Sequence, residues 1–210
     1  MEKKEKKEKY LSEAERIRLE RFEKTSEEMI QEGYSRTDLT VSMGKATRFS
    51  IILLIPLFII GYGLYYLVNG SLDISSINVL LFIIVFVVGI VVHELIHGVC
   101  WSFFTPHHFK DVKFGVLMSS LTPYCTCLVP LKKEQHLFGT VMPLILLGII
   151  PMAVGIAIGD PTVMFIGFMM AGSAAGDIMI IQKSLGYKSK ANETVYMDHP
   201  TEAGIVVFER

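Results

Sequence analysis

Residues 78–101 read NVLLFIIVFVVGIVVHELIHGVCW. At 1.5 Å per residue a helix of this length runs about 36 Å, enough to cross the hydrocarbon core of a bilayer. His93, Glu94 and His97 are its only His, Asp, Glu, Lys or Arg residues. Three further stretches, 49–68, 137–158 and 162–181, are similarly long and apolar. Core helices of soluble bundles rarely run this far without a polar face, which argues against that alternative. Pro56, Pro143 and Pro151 are tolerable in membrane helices, where neighbours re-satisfy the freed carbonyls. The first stretch lies behind a long charged segment, which excludes a signal peptide. The predicted fold class is an all-α polytopic membrane protein of about four transmembrane helices, with short cytosolic β-strands and a charged N-terminal helix.

Composition agrees once the charge is partitioned. The chain of 210 residues is 51% hydrophobic, with mean hydropathy +0.45, yet 20% is charged and the net charge is −1. Such apolarity excludes a disordered chain, and the balanced charge gives no support for a nucleic-acid partner. Residues 1–48 hold 12 of the 20 Lys/Arg and 11 of the 21 Asp/Glu. Three regions follow: a charged cytosolic segment 1–48, a four-span membrane domain 49–181, and a cytosolic tail 182–210 with a β-hairpin. Lys45, Arg48, Lys110, Lys113, Lys132, Lys133, Lys183, Lys188 and Lys190 all flank one side of the spans, and the loops 69–77 and 159–161 contain no Lys or Arg. The positive-inside rule therefore places both termini and the middle loop in the cytoplasm of a cell carrying this multi-pass protein in its plasma membrane. Cys100, Cys125 and Cys127 then face a reducing compartment, where an odd count argues for free thiols.

The cytosolic parts carry weaker patterns. Residues 1–9 are a solvated Lys/Glu run, and Leu11, Ala14, Ile17 and Phe22 suggest an amphipathic helix. Short strands are predicted at 38–42, 111–118, 124–131, 194–196 and 205–208, with Asp198-His199-Pro200 as a turn.

Ionisable groups inside spans are costly and tend to face the bundle interior, where they do chemistry or move ions. H-E-x-x-H on a helix puts His93 and His97 at i and i+4 on one face, able to bind one Zn²⁺, with Glu94 placed to take a proton from an attacking water. Zinc in a hydrolytic site wants a third protein ligand and an open position. Asp177 in the fourth span is the leading candidate. Both spans enter from outside and reach His93 and Asp177 after about 15 and 16 residues, a depth of about 22–24 Å. The small residues Ala171 to Gly176 before it allow close helix packing. Glu134 and the interfacial His107, His108 and His136 remain alternatives. Asp160 falls on the wrong side, Phe103 stands where an extended motif would need a third His, and Cys125-Thr126-Cys127 is too tightly spaced for a usual zinc clip.

These features resemble the membrane-embedded zinc metalloproteases of the site-2 protease type, and more closely a bacterial family labelled putative zincin peptidase. The likeness is carried by Val91 to Gly98 and by Gly176-Asp177-Ile178 in a later span. Pro123-Tyr124-Cys125, Pro143, and Asp198-His199-Pro200 followed by Gly204 add to it. It covers roughly 39–208. Asp177 follows Gly and precedes Ile, whereas site-2 proteases usually carry an Asp-Gly pair with Leu before it. The resemblance implies His93 and His97 as zinc ligands, Glu94 as general base and Asp177 as third ligand.

The expected function is therefore zinc-dependent hydrolysis of a peptide bond at the cytoplasmic side of the bilayer. The partners would be membrane lipid and a membrane-associated protein or peptide substrate, held extended by the strands of 111–131. Two other classes compete: an inactive scaffold whose metal only braces two helices, and an ion or proton carrier using the four ionisable residues as a relay. The carrier lacks an ionisable continuation through the outer half of the bundle.

Overall fold

The computed structural model describes residues 12–117 and 122–210. The Lys/Glu run 1–9, Leu11 and Met118 lie outside the described residues. Helix α1 (Glu13–Gln31) starts at a capping box: Ser12 Oγ accepts from the Glu15 amide at 3.3 Å, and Glu15 Oε2 accepts from the Ser12 amide at 2.8 Å. Its buried face is Glu15, Arg18, Phe22, Ser26 and Met29, at steps of three and four. Of the predicted stripe Phe22 is buried and Ile17 is exposed, while Leu11 and the Ala14 side chain lie outside what is described. The helix is rotated because its polar residues find partners inward, Arg18 among them.

Strand β1 (Ser35–Val41) leads into α2 (Met43–Asn69), followed by α3 (Val79–Ser102). The hairpin β2 (Val112–Leu117) and β3 (Thr122–Cys127) comes next, then the short β4 (Leu131–Lys132). Helix α4 (Lys133–Ile158) contains a π-helical stretch, Leu144–Ile149, between Pro143 and Pro151. Helices α5 (Pro161–Ser173) and α6 (Ala175–Gly186) precede β5 (Thr194–Asp198) and β6 (Ala203–Glu209).

The fold is mostly helical, and α2, α3 and α4 are each long and apolar enough to cross a membrane. Predicted span 162–181 is not one straight helix. It is broken into α5 and α6, bent by 48°, and counts as a fourth span only if the pair is taken together. The break falls in the run of small residues. Around it, Ser173 Oγ donates to the Met170 carbonyl at 2.7 Å and Ser50 Oγ to the Gly172 carbonyl at 3.1 Å, adding side-chain donors to the backbone cap that the Ala174 amide makes. Many outward side chains of α2 and α3 are apolar and exposed, Ile52, Ile59, Leu67, Leu80 and Val91 among them. Bare apolar surface on this scale marks contact with lipid or protein.

Below the helices lies an antiparallel sheet of order β1-β6-β5-β4. It joins segments before, between and after the apolar helices, a pairing between β1 and β6 that nothing in their local patterns announces. Ile205, Val206, Val207 and Phe208 are fully buried. Alternation explains this: Val206 and Phe208 pack with Phe22 and Met29 of α1, and Ile205 and Val207 with Leu39 and Ile180. A strand covered on both faces reads as a continuous apolar run.

Candidate metal centre

Helix α3 stacks His93, His97 and Trp101 at successive i+4 positions along one face. The His93 and His97 rings meet edge-on at 4.9 Å, and His97 lies flat on Trp101 at 5.1 Å. Trp101 is pinned in turn by its Nε1–H, which donates to the His136 carbonyl at 3.1 Å.

Opposite this ridge runs α4. Its Pro143 has no N–H to offer the Gly139 carbonyl four residues back. That carbonyl instead faces His97 Nδ1 at 2.9 Å. The contact requires the proton on Nδ1 and leaves the Nε2 lone pair of His97 directed away from α4. Gly139 has a second role: a Cβ there would collide with the Trp101 indole, so only glycine lets the helices approach this closely.

Asp177 lies in the first turn of α6, where the helix dipole favours a carboxylate. Its Oδ2 is 3.0 Å from His93 Nε2 and its Oδ1 3.4 Å from His97 Nε2, and the two Nε2 atoms are 3.2 Å apart. Zinc bonds of about 2.0–2.1 Å at tetrahedral angles put ligand atoms about 3.3–3.4 Å apart. Two imidazoles and a carboxylate at this separation, all largely buried, are a donor set a zinc ion fits. It is the one such cluster of His, Cys, Asp or Glu among the described residues.

Glu94 is half-buried and lines the same cavity, of about 460 Å³, as the three cluster residues. Tyr124, Cys125 and Thr126 of β3 form part of its wall.

The other candidates lie apart from the cluster. Glu134 opens onto a different pocket with Lys188 and Glu193. His107 is exposed, 3.4 Å from Asp111, and His108 Nδ1 contacts the Ser102 carbonyl. Asp160 caps α5, accepting from the amides of Thr162 and Val163. Burial raises both the Cys125 and Cys127 thiols, the latter to about 12, and neither belongs to the cluster.

His136 is buried on the wall of the same cavity, but its ring nitrogens have other partners: Nε2 is 3.1 Å from Asp198 Oδ1, and Nδ1 is 3.4 Å from Thr140 Oγ1. Asp198 Oδ2 also accepts from the Cys127 amide at 2.9 Å. Burial opposes ionisation of Asp198, but the hydrogen bond and charge of His136, with the Cys127 amide, hold its carboxyl below the usual range. Sequence reading took Asp198 for a turn residue. The carboxylate ties β5 to β3 and α4 beneath the site, across separations of 62 and 71 residues that no local pattern can reveal. Only the Asp198-His199-Pro200 match in the family likeness pointed to it.

Residues 85–191, just over half of the chain, match a family described as "Putative zincin peptidase". No curated protein and no solved structure matches the chain.

Proposed function

Because the chain belongs to the family described as "Putative zincin peptidase", a family of zinc metallopeptidase type, we propose that it is a membrane-embedded peptidase. In this reading it cleaves a peptide bond near the cytoplasmic face of a cell membrane, as proteases of the site-2 type do. The observation that carries the reading is the convergence of His93 Nε2, His97 Nε2 and Asp177 to within 3.0–3.4 Å on a cavity that Glu94 also lines. His93, His97 and Asp177 would hold Zn²⁺, with Glu94 as general base. Bound there, the ion would supply Lewis-acid polarisation of the scissile carbonyl and acidify the attacking water. Glu94 takes the proton from that water and passes it to the leaving amine. His97 is oriented by the Gly139 carbonyl, and such a partner fixes the ring and raises its basicity as a ligand.

The exposed apolar sides of α2 and α3 support a lipid environment. The lysines around α4 and α6 support a cytoplasmic location for both termini and the middle loop. On this reading 49–181 is the catalytic membrane domain between a charged lead segment 1–48 and the tail 182–210. The substrate is a membrane-associated protein or peptide; a strand of it pairs with the cavity side of β3, where it is unwound and extended.

The test is metal per chain in detergent-purified protein. Wild type should carry close to one zinc, and His93→Ala and Asp177→Ala should each lose it; a metal-free wild type overturns the reading. Glu94→Gln should keep zinc and lose cleavage. Continued cleavage by that variant would remove Glu94 from its role, whereas a biological role surviving intact without cleavage would favour a metal-braced scaffold.

A further inference from the structure

Arg18 lines the cavity that holds the metal cluster, although it belongs to α1, far away in sequence. Among the described residues it is the only Lys or Arg on that cavity's wall, and it is only 8% exposed. Its guanidinium lies 4.4 Å above the Tyr124 ring, on the strand beside the cluster. Its Nη2 donates to the His199 carbonyl at 2.6 Å, but Nε is buried without a hydrogen-bond partner. Among the described residues it makes no ion pair within 4.0 Å, although its charge is near enough to Asp198 to favour that carboxylate. Asp198 lines the same wall, yet both of its oxygens are engaged by His136 and Cys127.

A buried guanidinium with an orphan donor is a costly arrangement for a protein to keep unless something completes it. Arginine presents a planar fork that matches a carboxylate bidentately, and an aromatic ring beneath it holds the fork in plane. The rest of the wall carries Glu94, Asp177, Asp198 and Glu202. An anionic ligand is repelled there except at Arg18 and at the metal. Resting on the peptidase reading, we infer that Arg18 is a specificity-determining residue that binds a carboxylate of the peptide substrate and sets its register against the metal cluster. The carboxylate is either the peptide's C-terminus or an acidic side chain near the scissile bond.

Three quenched-fluorescent probes of one apolar sequence separate the cases: a free C-terminal acid, its C-terminal amide, and the amide with one internal Glu. Wild-type protein with zinc should cleave one or both carboxylate-bearing probes with kcat/KM roughly 10–100-fold above the plain amide, mainly through KM. A preference for the free acid alone assigns the C-terminus, and a preference for the Glu probe assigns the side chain. In Arg18→Met that ratio should fall toward one, with Arg18→Lys retaining part of it. If wild type cleaves all three probes equally, or if Arg18→Met keeps the full ratio, the inference is overturned. If Arg18 serves only to clamp α1 to the tail, its replacement lowers all three rates together and leaves the ratio unchanged. Failure of wild type to cleave any probe while it binds zinc would instead count against the peptidase reading itself.

Discussion

Glu94 and His93 are neighbours in sequence, but a helix turns successive side chains about 100° apart, so neither can stand in for the other. The Glu94→Gln protein should hold zinc as wild type does and lose about 10²–10⁴-fold in kcat/KM, measured with a cleaved peptide at matched metal content. Asp198 works outside the helices and through stability. Its carboxyl is held below the usual range in the native state. It therefore contributes stability that is full above the unfolded carboxylate pKa of about 3.9 and is lost as pH falls through the depressed native value. Asp198→Asn should cost about 1.5–3 kcal/mol at neutral pH, since the hydrogen bonds removed involve a charged group. Thermal melts across the acid range should show wild type losing more stability on acidification than the variant; parallel curves would place its shift elsewhere.

At the scale of elements, α3 and α4 owe their registration to two residues without ordinary helical credentials. Pro143 frees the Gly139 carbonyl for His97, and Gly139 leaves room for Trp101. Alanine is intrinsically the better helix former by about 1 kcal/mol, so any loss on Gly139→Ala must come from crowding. The substitution drives a methyl into an indole that is stacked on His97 and held by the His136 carbonyl. Zinc affinity should fall about 10–100-fold, read by competition with a coloured chelator. This is also where reading from sequence reached its limit. The H-E-x-x-H face was legible because helical periodicity is local, and Asp177 was legible because a lone carboxylate in an apolar run has few reasons to exist. The bend at Ala174 was not, because small residues permit a break without dictating one. Nor was the buried face of α1, whose inward residues include Arg18 and Ser26, polar groups that partners outside the helix make burial-competent.

For the whole molecule, the proposed membrane arrangement predicts an orientation that labelling reads. Ser75 and Lys188 are both exposed and lie beyond opposite ends of the bundle in the proposed arrangement. Ser75→Cys in intact cells should react with an impermeant maleimide, and Lys188→Cys only after the membrane is opened. The reverse pattern would invert the topology and move the cluster to the other face. The native Cys100 and Cys127 are buried and Cys125 is half-buried, which limits the background in this assay.

The sheet order β1-β6-β5-β4 carries a temporal consequence. Residues 35–41 leave the ribosome before any of the apolar helices, whereas their hydrogen-bonding partner, residues 203–209, is translated after all of them. Throughout that interval β1 has no strand to join, and the cavity lacks the part of its rim that Ala203 and Gly204 provide. A nascent chain therefore carries the residues of the candidate metal cluster without a finished enclosure around them. The sheet acts as a latch that closes only when synthesis of the helices is over.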